Sequence, residues 1–448
     1  MLSPEAARDR AAALVERARK AGADAADAVY IADSSESISV RLGKLEDIER
    51  SESEHIGLRV FVGQRSASIG SSDLADAALA ELASRAVDMA RTAPEDPYAG
   101  LAPQDRLLTT APAALDIDEV QEPSPADLRD MAQAAEDAAR AVPGVTNSEG
   151  GGASAGRAVV GLATSHGFAG GYGGSSRSIS ASVVAGEGSA MQRDYAWRTA
   201  RHRADLPTAE EIGRQAGERA VARLNPGRLA SGPMPVVFDP RVGGTLVGHL
   251  VGAMAGPSIA RRASFLLDRL DEQLFDSAIT IIDDPLRLRG LRSRPFDGEG
   301  LPTARRALVE GGRLTGWLCD SASARQLGLE PTGHAARGAS GAPGVSTTNV
   351  HIEPGSMSVA ELIADIADGV YVTELIGHGV NGVTGDYSRG ASGVRIVGGE
   401  LAGPVAEFTI AGNLIDMFRA LTPANDLEWY RQVNVPTLRV DGMTVAGD

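Results

Sequence analysis

The side chains best able to bind a metal or move a proton are few and widely spaced in this sequence. The seven histidines are His55, His166, His202, His249, His334, His351 and His378. No two of them have the His-x-x-x-His spacing that places two imidazoles on one face of a helix for zinc. The single cysteine, Cys319, lies in an apolar run and is predicted to be a small buried side chain.

A regular spacing of glycines marks residues 240–256 as the strongest local pattern. Gly244, Gly248, Gly252 and Gly256 recur every four residues and therefore share one face of a predicted helix. Each glycine costs about 1 kcal/mol of helix stability relative to alanine, so the face requires a packing or a functional reason. Close packing against another backbone and the floor of a peptide-binding cleft are the two interpretations.

The second unusual segment, residues 373–390, is too rich in glycine for a helix and too polar for a core strand. Loops of this composition on a rigid scaffold often carry function. His378, Asp386, Tyr387 and Arg389 are the side chains in it that could contact a ligand or a partner chain. The alternative is a structural loop held in place by its own aspartate and arginine.

The elements that must position these residues follow from hydrophobic periodicity and from helix-capping patterns. The N-terminal block predicts a helix from Ser3 to about residue 20, strands at 28–31 and 37–42, a hairpin at 57–62 and 66–69, and a helix at 73–92. A segment with six prolines, residues 94–125, separates it from a second block. That block predicts a helix at 124–141, antiparallel strands within 144–205, and a helix at 208–224.

These patterns favour an α+β fold. The N-terminal region, residues 1–225, is predicted to contain two helix–strands–helix blocks, 1–92 and 124–224, with helices on one face of the sheet. The C-terminal domain, residues 232–448, is predicted to be rich in strands with a few helices, near 240–256 and 358–368.

Composition restricts the classes of partner. The formal net charge is −16, which repels the phosphates of nucleic acids. The sequence has no apolar run of the ~20 residues that a membrane-spanning helix needs. Its first residues lack the apolar core of a signal peptide. We therefore expect a cytoplasmic protein without a nucleic-acid or membrane partner.

Several motifs in the C-terminal half occur in a recognisable order. They are residues 264–268, 295–300, 323–329, 332–335, 372–377, 384–391 and 410–414. Together they resemble the TldE (PmbA) subunits of the TldD/TldE peptidase family. The resemblance covers essentially the whole C-terminal half and is looser in the N-terminal half. It implies a TldD/PmbA-like fold.

The resemblance also implies where a metal site would lie. Catalytic TldD-type subunits carry a His-Glu-x-x-x-His helix and a cysteine near the C-terminus, which would hold zinc with the glutamate as general base. With Arg261 and Arg262 anchoring the register, the first ligand position falls on Gly248, the base on His249 and the second ligand on Ala253. The resemblance thus implies a vestigial site without zinc, in which His249 packs or forms hydrogen bonds.

By the same resemblance, this chain is expected to be the non-catalytic subunit of a heteromeric zinc metallopeptidase that degrades or processes unfolded or small peptides. The active site and the zinc would then lie in a TldD-type partner. The alternative is a stand-alone homodimeric protein that binds peptides without cleaving them. A third hypothesis is a self-sufficient hydrolase that uses Asp386 with His378 or His334.

Overall fold

The computed structural model describes residues 1–447, and one antiparallel sheet forms the base of its N-terminal half. The strands are β1 Ala25–Arg41, β2 Lys44–Val62, β3 Arg65–Ser71, β4 Val145–Thr164, β5 Ala169–Ala185 and β6 Gln192–Ala200. They lie in the order β3-β2-β1-β4-β5-β6. The first strands of the two blocks, β1 and β4, pair at the centre of the sheet. Each block therefore contributes three strands to a single sheet.

One long strand, β1, replaces the two short strands predicted at residues 28–31 and 37–42. The polar residues between them are paired on both sides; Ser34, for example, lies between Glu52 of β2 and Arg157 of β4. The strand continues through this polar stretch because hydrogen bonds to two neighbours satisfy its backbone. The predicted hairpin is confirmed, since β2 and β3 pair across a tight turn.

Four helices cover one face of this sheet. They are α1 Pro4–Lys20, α2 Asp76–Thr92, α3 Pro125–Arg140 and α4 Ala209–Ala222. Ser3 and Ser124 cap α1 and α3 immediately before a proline, and Thr208 caps α4. These helices begin and end close to their predicted limits because the capping signals are local. The helix-covered sheet predicted for the N-terminal half is confirmed.

The C-terminal half is rich in strands with a few helices, as predicted. The strands are β7 Gly232–Phe238, β8 Ile281–Asp283, β9 Arg306–Glu310, β10 Arg313–Leu314, β11 Ala335–Ala336, β12 Gly344–Val345, β13 Val350–Ile352, β14 Asp368–Ile376, β15 Asp386–Val397, β16 Glu400–Asn413, β17 Leu421–Pro423, β18 Val433–Asn434 and β19 Leu438–Ala446. The helices are α5 Pro240–Met254, α6 Gly256–Ala260, α7 Ser321–Leu327, α8 Val359–Ile363 and α9 Leu414–Arg419.

Five of these strands form a closed ring. The order β16-β15-β14-β7-β19 is completed by pairing of β19 with β16, where Thr409 lies opposite Ala446. Helix α5 follows directly after β7 and packs into the same core, with Leu246, Leu250 and Met254 fully buried. A second, smaller sheet has the order β10-β9-β8-β13-β18. The ring thus provides the rigid base for α5.

Helix α5 ends at Met254, earlier than the predicted limit of residue 256. Pro257 lacks a backbone N–H and its ring would clash with a helical carbonyl one turn earlier, so the helix cannot continue through it. The chain instead extends, and the backbone N–H of Gly256 donates to the carbonyl oxygen of Leu318 at 2.7 Å. The prediction that Gly256 shares a face with the glycines of α5 is therefore wrong.

The helix predicted at residues 358–368 is also shorter, because the chain turns after α8 to enter β14 at Asp368. The last residue of the predicted C-terminal domain, Asp448, lies outside the described residues. No helix within residues 1–447 is both long enough and apolar enough to span a lipid bilayer.

Helix α1 lies so close to the sheet that two strand residues beneath it have to be glycine. Gly161 of β4 and Gly171 of β5 are cross-strand neighbours. A Cβ on Gly161 would lie 2.3 Å from the carbonyl carbon of Ala7, and one on Gly171 would lie 2.2 Å from the carbonyl oxygen of Pro4. Both distances are far shorter than van der Waals contact, so any side chain would displace the helix.

We expect Gly161→Ala to lower the free energy of unfolding by about 1–3 kcal/mol, the usual cost of overpacking. The matched control is Gly403→Ala, where a Cβ would meet no atom within 4 Å; it should change stability by no more than about 0.5 kcal/mol. Urea denaturation followed by circular dichroism compares the two variants with the wild type. Equal stability of Gly161→Ala and the wild type would contradict this packing.

Candidate functional site

Helix α5 has one face in the core and one face open. Gly248 and Gly252 are exposed, opposite the buried leucines of the same helix. A Cβ built on either glycine would meet no atom of residues 1–447 within 4 Å. Close packing within this chain therefore does not explain these two glycines.

The other two glycines of the pattern do serve packing. A Cβ on Gly244 would lie 3.3 Å from the carbonyl oxygen of Val433, and one on Gly256 would lie 2.8 Å from the sulfur of Cys319. Cys319 is fully buried, as predicted, and burial raises the pKa of its thiol to about 11. The open part of the helix is thus limited to the turns around Gly248 and Gly252.

His249 lies on α5 beside the first residues of β15. Its ring meets the ring of Tyr387 edge to face, with the centroids 6.3 Å apart. Burial lowers the pKa of His249, and the nearby charge of Arg389 lowers it further. Residues from the two segments singled out in the sequence therefore meet in space.

Two buried polar atoms at this meeting point have no hydrogen-bond partner among residues 1–447. They are Nε2 of His249 and the hydroxyl of Tyr387. Burial raises the pKa of Tyr387, against the opposing effect of Arg389, so both rings are neutral near pH 7. Leaving such an atom unpaired costs about 1–3 kcal/mol. An added hydrogen-bonding group would therefore stabilise this part of the molecule.

The predicted loop at residues 373–390 is shorter in the structure. Strand β14 continues to Ile376 and β15 begins at Asp386, so the loop proper covers residues 377–385. Asp386, Tyr387 and Arg389 belong to a strand that pairs with β16. At the start of β15, Asp386 and Ser388 are exposed while Tyr387 between them is buried in the core, so the polar residues of this segment alternate with a core side chain.

The carboxylate of Asp386 is held by its own surroundings. The hydroxyl of Thr384 donates to it at 2.6 Å, and the side-chain amide of Asn413 donates to it at 3.2 Å. These hydrogen bonds lower the pKa of Asp386, the one from Thr384 most strongly. Asp386 therefore acts as a structural anchor for the loop, and His378 is exposed within that loop.

The arrangement gives no support to a hydrolase built on Asp386. Nε2 of His334 lies 3.2 Å from Asp283, and both side chains are buried. Within residues 1–447, no ion pair joins Asp386 to His334 or to His378. A general base for Asp386 to orient is therefore lacking in the described residues.

The donor set on α5 does not fit a zinc site. Glycine and alanine have no side-chain donor atom, so the positions of Gly248 and Ala253 leave His249 as the only imidazole in this helix. Ala253 is buried, and its carbonyl oxygen accepts the hydroxyl of Ser264 at 2.7 Å. In the part of the chain that the structure describes, no three His, Cys, Asp or Glu side chains are grouped to hold a metal ion.

Sequence reasoning missed a buried ionic cluster that links the two halves of the chain. Asp27 of β1 accepts hydrogen bonds from Arg59 of β2, at 3.0 Å, and from Arg337. Arg59 also lies 3.6 Å from Glu299. All four side chains are almost fully buried. The motif at residues 295–300 contains Glu299, and the family resemblance was the signal that pointed to this region.

Comparison with known proteins identifies three segments of the chain. Models of the PmbA/TldA metallopeptidase domains match residues 26–90 (domain 1), 118–224 (central domain) and 231–447 (C-terminal domain). Metalloprotease PmbA of Escherichia coli O157:H7 is 40% identical over 413 residues, which cover 92% of this chain and 90% of that protein. A PmbA homologue of Haemophilus influenzae is 34% identical over 444 residues, covering 97% and 94%.

Solved structures have the same fold. A protein of Bacteroides thetaiotaomicron, described as a candidate modulator of DNA gyrase, superposes with a TM-score of 0.91 at 26% identity and full coverage of both chains. TldE from Thermococcus kodakarensis superposes with a TM-score of 0.87 at 21% identity, covering 98% of this chain and all of that one. The chain belongs to the PmbA/TldD family of metallopeptidases, in its TldE/PmbA branch.

Because the pKa of His249 is lowered in the folded chain, the stability of the fold should depend on pH. As pH falls below about 6.5, the ordinary value for histidine, the unfolded chain takes up a proton that the folded chain resists. The contribution of His249 to stability is therefore present above that pH and is lost as the pH falls.

We expect His249→Gln to lose less free energy of unfolding than the wild type between pH 7 and pH 5. Urea denaturation at both pH values measures this difference. His378→Gln, which removes an exposed ring, is the matched control. The prediction fails if His249→Gln and the wild type lose the same amount.

Proposed function

We propose that this chain is the non-catalytic, TldE-type subunit of a heteromeric zinc metallopeptidase. The observation that carries the proposal is the donor set of α5, in which His249 is the single imidazole. By the family resemblance, Gly248 and Ala253 would stand in the positions of the metal ligands. Relatives named as metalloproteases support the peptidase context. Zinc and its general base would then belong to a TldD-type partner, and the assembled enzyme would act on unfolded or small peptides in the cytoplasm.

In this proposal the open face of α5 forms part of a wall along which a peptide lies. An extended backbone can approach Gly248 and Gly252 closely, because neither carries a Cβ and none of residues 1–447 has an atom within 4 Å of where one would be. His249 of the same helix and the adjacent Tyr387 each have a buried polar atom without a hydrogen-bond partner among residues 1–447. A preserved helix without metal ligands thus retains a use in binding.

The charge of the molecule supports a peptide ligand over a nucleic acid. The chain has a formal charge of −16, which disfavours contact with phosphate backbones. Arg389, beside the open face, provides a local positive charge that can face a carbonyl oxygen or a carboxylate.

Hydrolysis of an unstructured peptide by purified chains tests whether catalysis requires the TldD-type partner. We expect the isolated chain to leave the peptide intact. Addition of a TldD-type chain from the same cell should give cleavage that a chelator abolishes. Chelator-sensitive cleavage by the isolated chain would overturn the proposal. Failure to co-purify with any TldD-type chain, together with peptide binding by a homodimer, would favour the stand-alone binding protein.

A substitution on the open face separates binding from stability. Gly252→Leu fills open space and improves helix propensity, so we expect the free energy of unfolding to be unchanged or about 0.5–1 kcal/mol higher. Peptide cleavage by the assembled enzyme should nevertheless fall, because the side chain blocks the wall. The control is Ala77→Leu, at an exposed position of α2. Full activity of Gly252→Leu would show that peptides do not pass this face.

A further inference from the structure

The face of the N-terminal sheet opposite its helices borders a cavity of about 460 Å³. Its floor is apolar and its roof comes from C-terminal segments around residues 291–298 and 336–348. The apolar side chains of the floor and one wall are Val29, Ile31, Val160, Leu162 and Phe296. Cavities of this size, with an apolar lining and a few polar groups, are typical of small-ligand sites.

Three arginines line this cavity around one tyrosine. Arg201, Arg292, Arg294 and Tyr172 all line the cavity. Burial raises the pKa of Tyr172, and the positive charges of Arg294, Arg201 and Arg292 oppose that rise. The three arginines therefore share one cavity with Tyr172.

Two of these arginines donate hydrogen bonds to backbone carbonyl oxygens. Arg201 donates to the backbone carbonyl oxygens of Ser175, at 2.8 Å, and Gly290, at 3.2 Å. Arg294 donates to the carbonyl oxygen of Ser346 at 3.1 Å. Among residues 1–447, no ion pair within 4 Å involves Arg201, Arg292 or Arg294.

Asp297, the acidic side chain in the cavity lining, offsets little of the positive charge of the arginines. Asp297 is buried, and burial together with the nearby Glu299 raises its pKa to about 7, so it is only partly ionised at neutral pH. Arg337 also lines the cavity, but its charge is paired with Asp27. The cavity thus carries a net positive charge beside an apolar floor.

A purely structural role explains only part of this arrangement. Arg201 and Arg294 tie backbone segments together through their hydrogen bonds. The guanidinium of Arg292, in contrast, makes no hydrogen bond or ion pair within residues 1–447, although its charge repels Arg201. Water screens part of this repulsion, because the side chain of Arg292 is exposed. A bound anion would relieve the rest. Planar guanidinium groups bind carboxylates with paired hydrogen bonds.

We propose that this cavity binds the terminal carboxylate of a short apolar peptide, with the carboxylate at Arg201, Arg292 and Arg294 and the apolar side chains on the sheet. The arginines that line the cavity support an anion site by themselves. The choice of a peptide as the occupant rests on the proposed function. The site is separate from the open face of α5 and concerns a further role for this chain, retention of a peptide end.

Calorimetric titration of the full chain, without a partner, tests the proposal. The probes are N-acetyl-Leu-Phe with a free carboxylate, the same dipeptide as its carboxamide, and inorganic phosphate. We expect the free acid to bind at least about tenfold more tightly than the carboxamide, as one charged hydrogen-bonded pair would give. Phosphate should bind more weakly than the free acid, because it makes no use of the apolar floor.

Two variants locate the binding. Arg292→Gln should bring the affinity for the free acid close to that for the carboxamide, and it should fold normally because Arg292 is exposed. Arg305→Gln, which removes an exposed arginine outside the cavity, is the matched control and should bind like the wild type. The peptide-cleavage assay above is independent of this titration, so the two proposals can fail separately.

Equal affinity for acid and carboxamide, or no binding of either, would overturn the carboxylate site. An equal loss of affinity in Arg305→Gln and Arg292→Gln would show a general charge effect and would also overturn it. Phosphate binding as tight as that of the free acid would overturn the assignment of a peptide, since the apolar floor would then contribute nothing.

Discussion

The buried carboxylate of Asp27 is the interaction on which the relation between the two halves of the molecule depends. Burial alone would raise its pKa, but the charges of Arg337 and Arg59 outweigh that effect and keep the pKa below its usual range. Removing one partner of such a buried pair typically costs about 3–5 kcal/mol, because the remaining charge is left uncompensated. Arg337 comes from the C-terminal half, so this pairing ties that half to the sheet beside the cavity that Arg337 also lines.

Local signals in the sequence predicted much of the fold. Ser3, Ser124 and Thr208 cap helices that the sequence located to within a few residues, because capping depends on neighbours in the chain. The pairing of β1 with β4 was beyond such reasoning, since it joins strands from separate blocks and depends on the hydrogen bonds of the whole sheet. Pro257 is a local signal that ends α5 early. The prediction of a helix at residues 240–256 was based on the spacing of the glycines and did not use that proline.

The sequence predicted the two segments of the candidate site, but it did not predict that they meet in space. The glycine helix and the polar segment stood out separately, and the structure brings His249 against Tyr387 and Arg389. No pattern in the sequence marked the arginines of the cavity. Arg201 directly follows strand β6, whereas Arg292 and Arg294 lie close together in a distant irregular segment. An isolated arginine resembles any solvated surface residue. Only the fold shows that they share one space.

The closed ring of the C-terminal half has a consequence for how this chain can associate with others. An unpaired sheet edge offers backbone donors and acceptors to a foreign strand, and ring closure by β16 and β19 removes most of that exposure. Within residues 1–447, open edges of the N-terminal sheet remain at β3, at the part of β2 that β3 does not cover, and at β6, where charged residues such as Arg65, Arg193 and Arg198 discourage strand addition. A second chain would therefore bind through side-chain surfaces, which can encode the identity of a partner in a way that backbone pairing cannot.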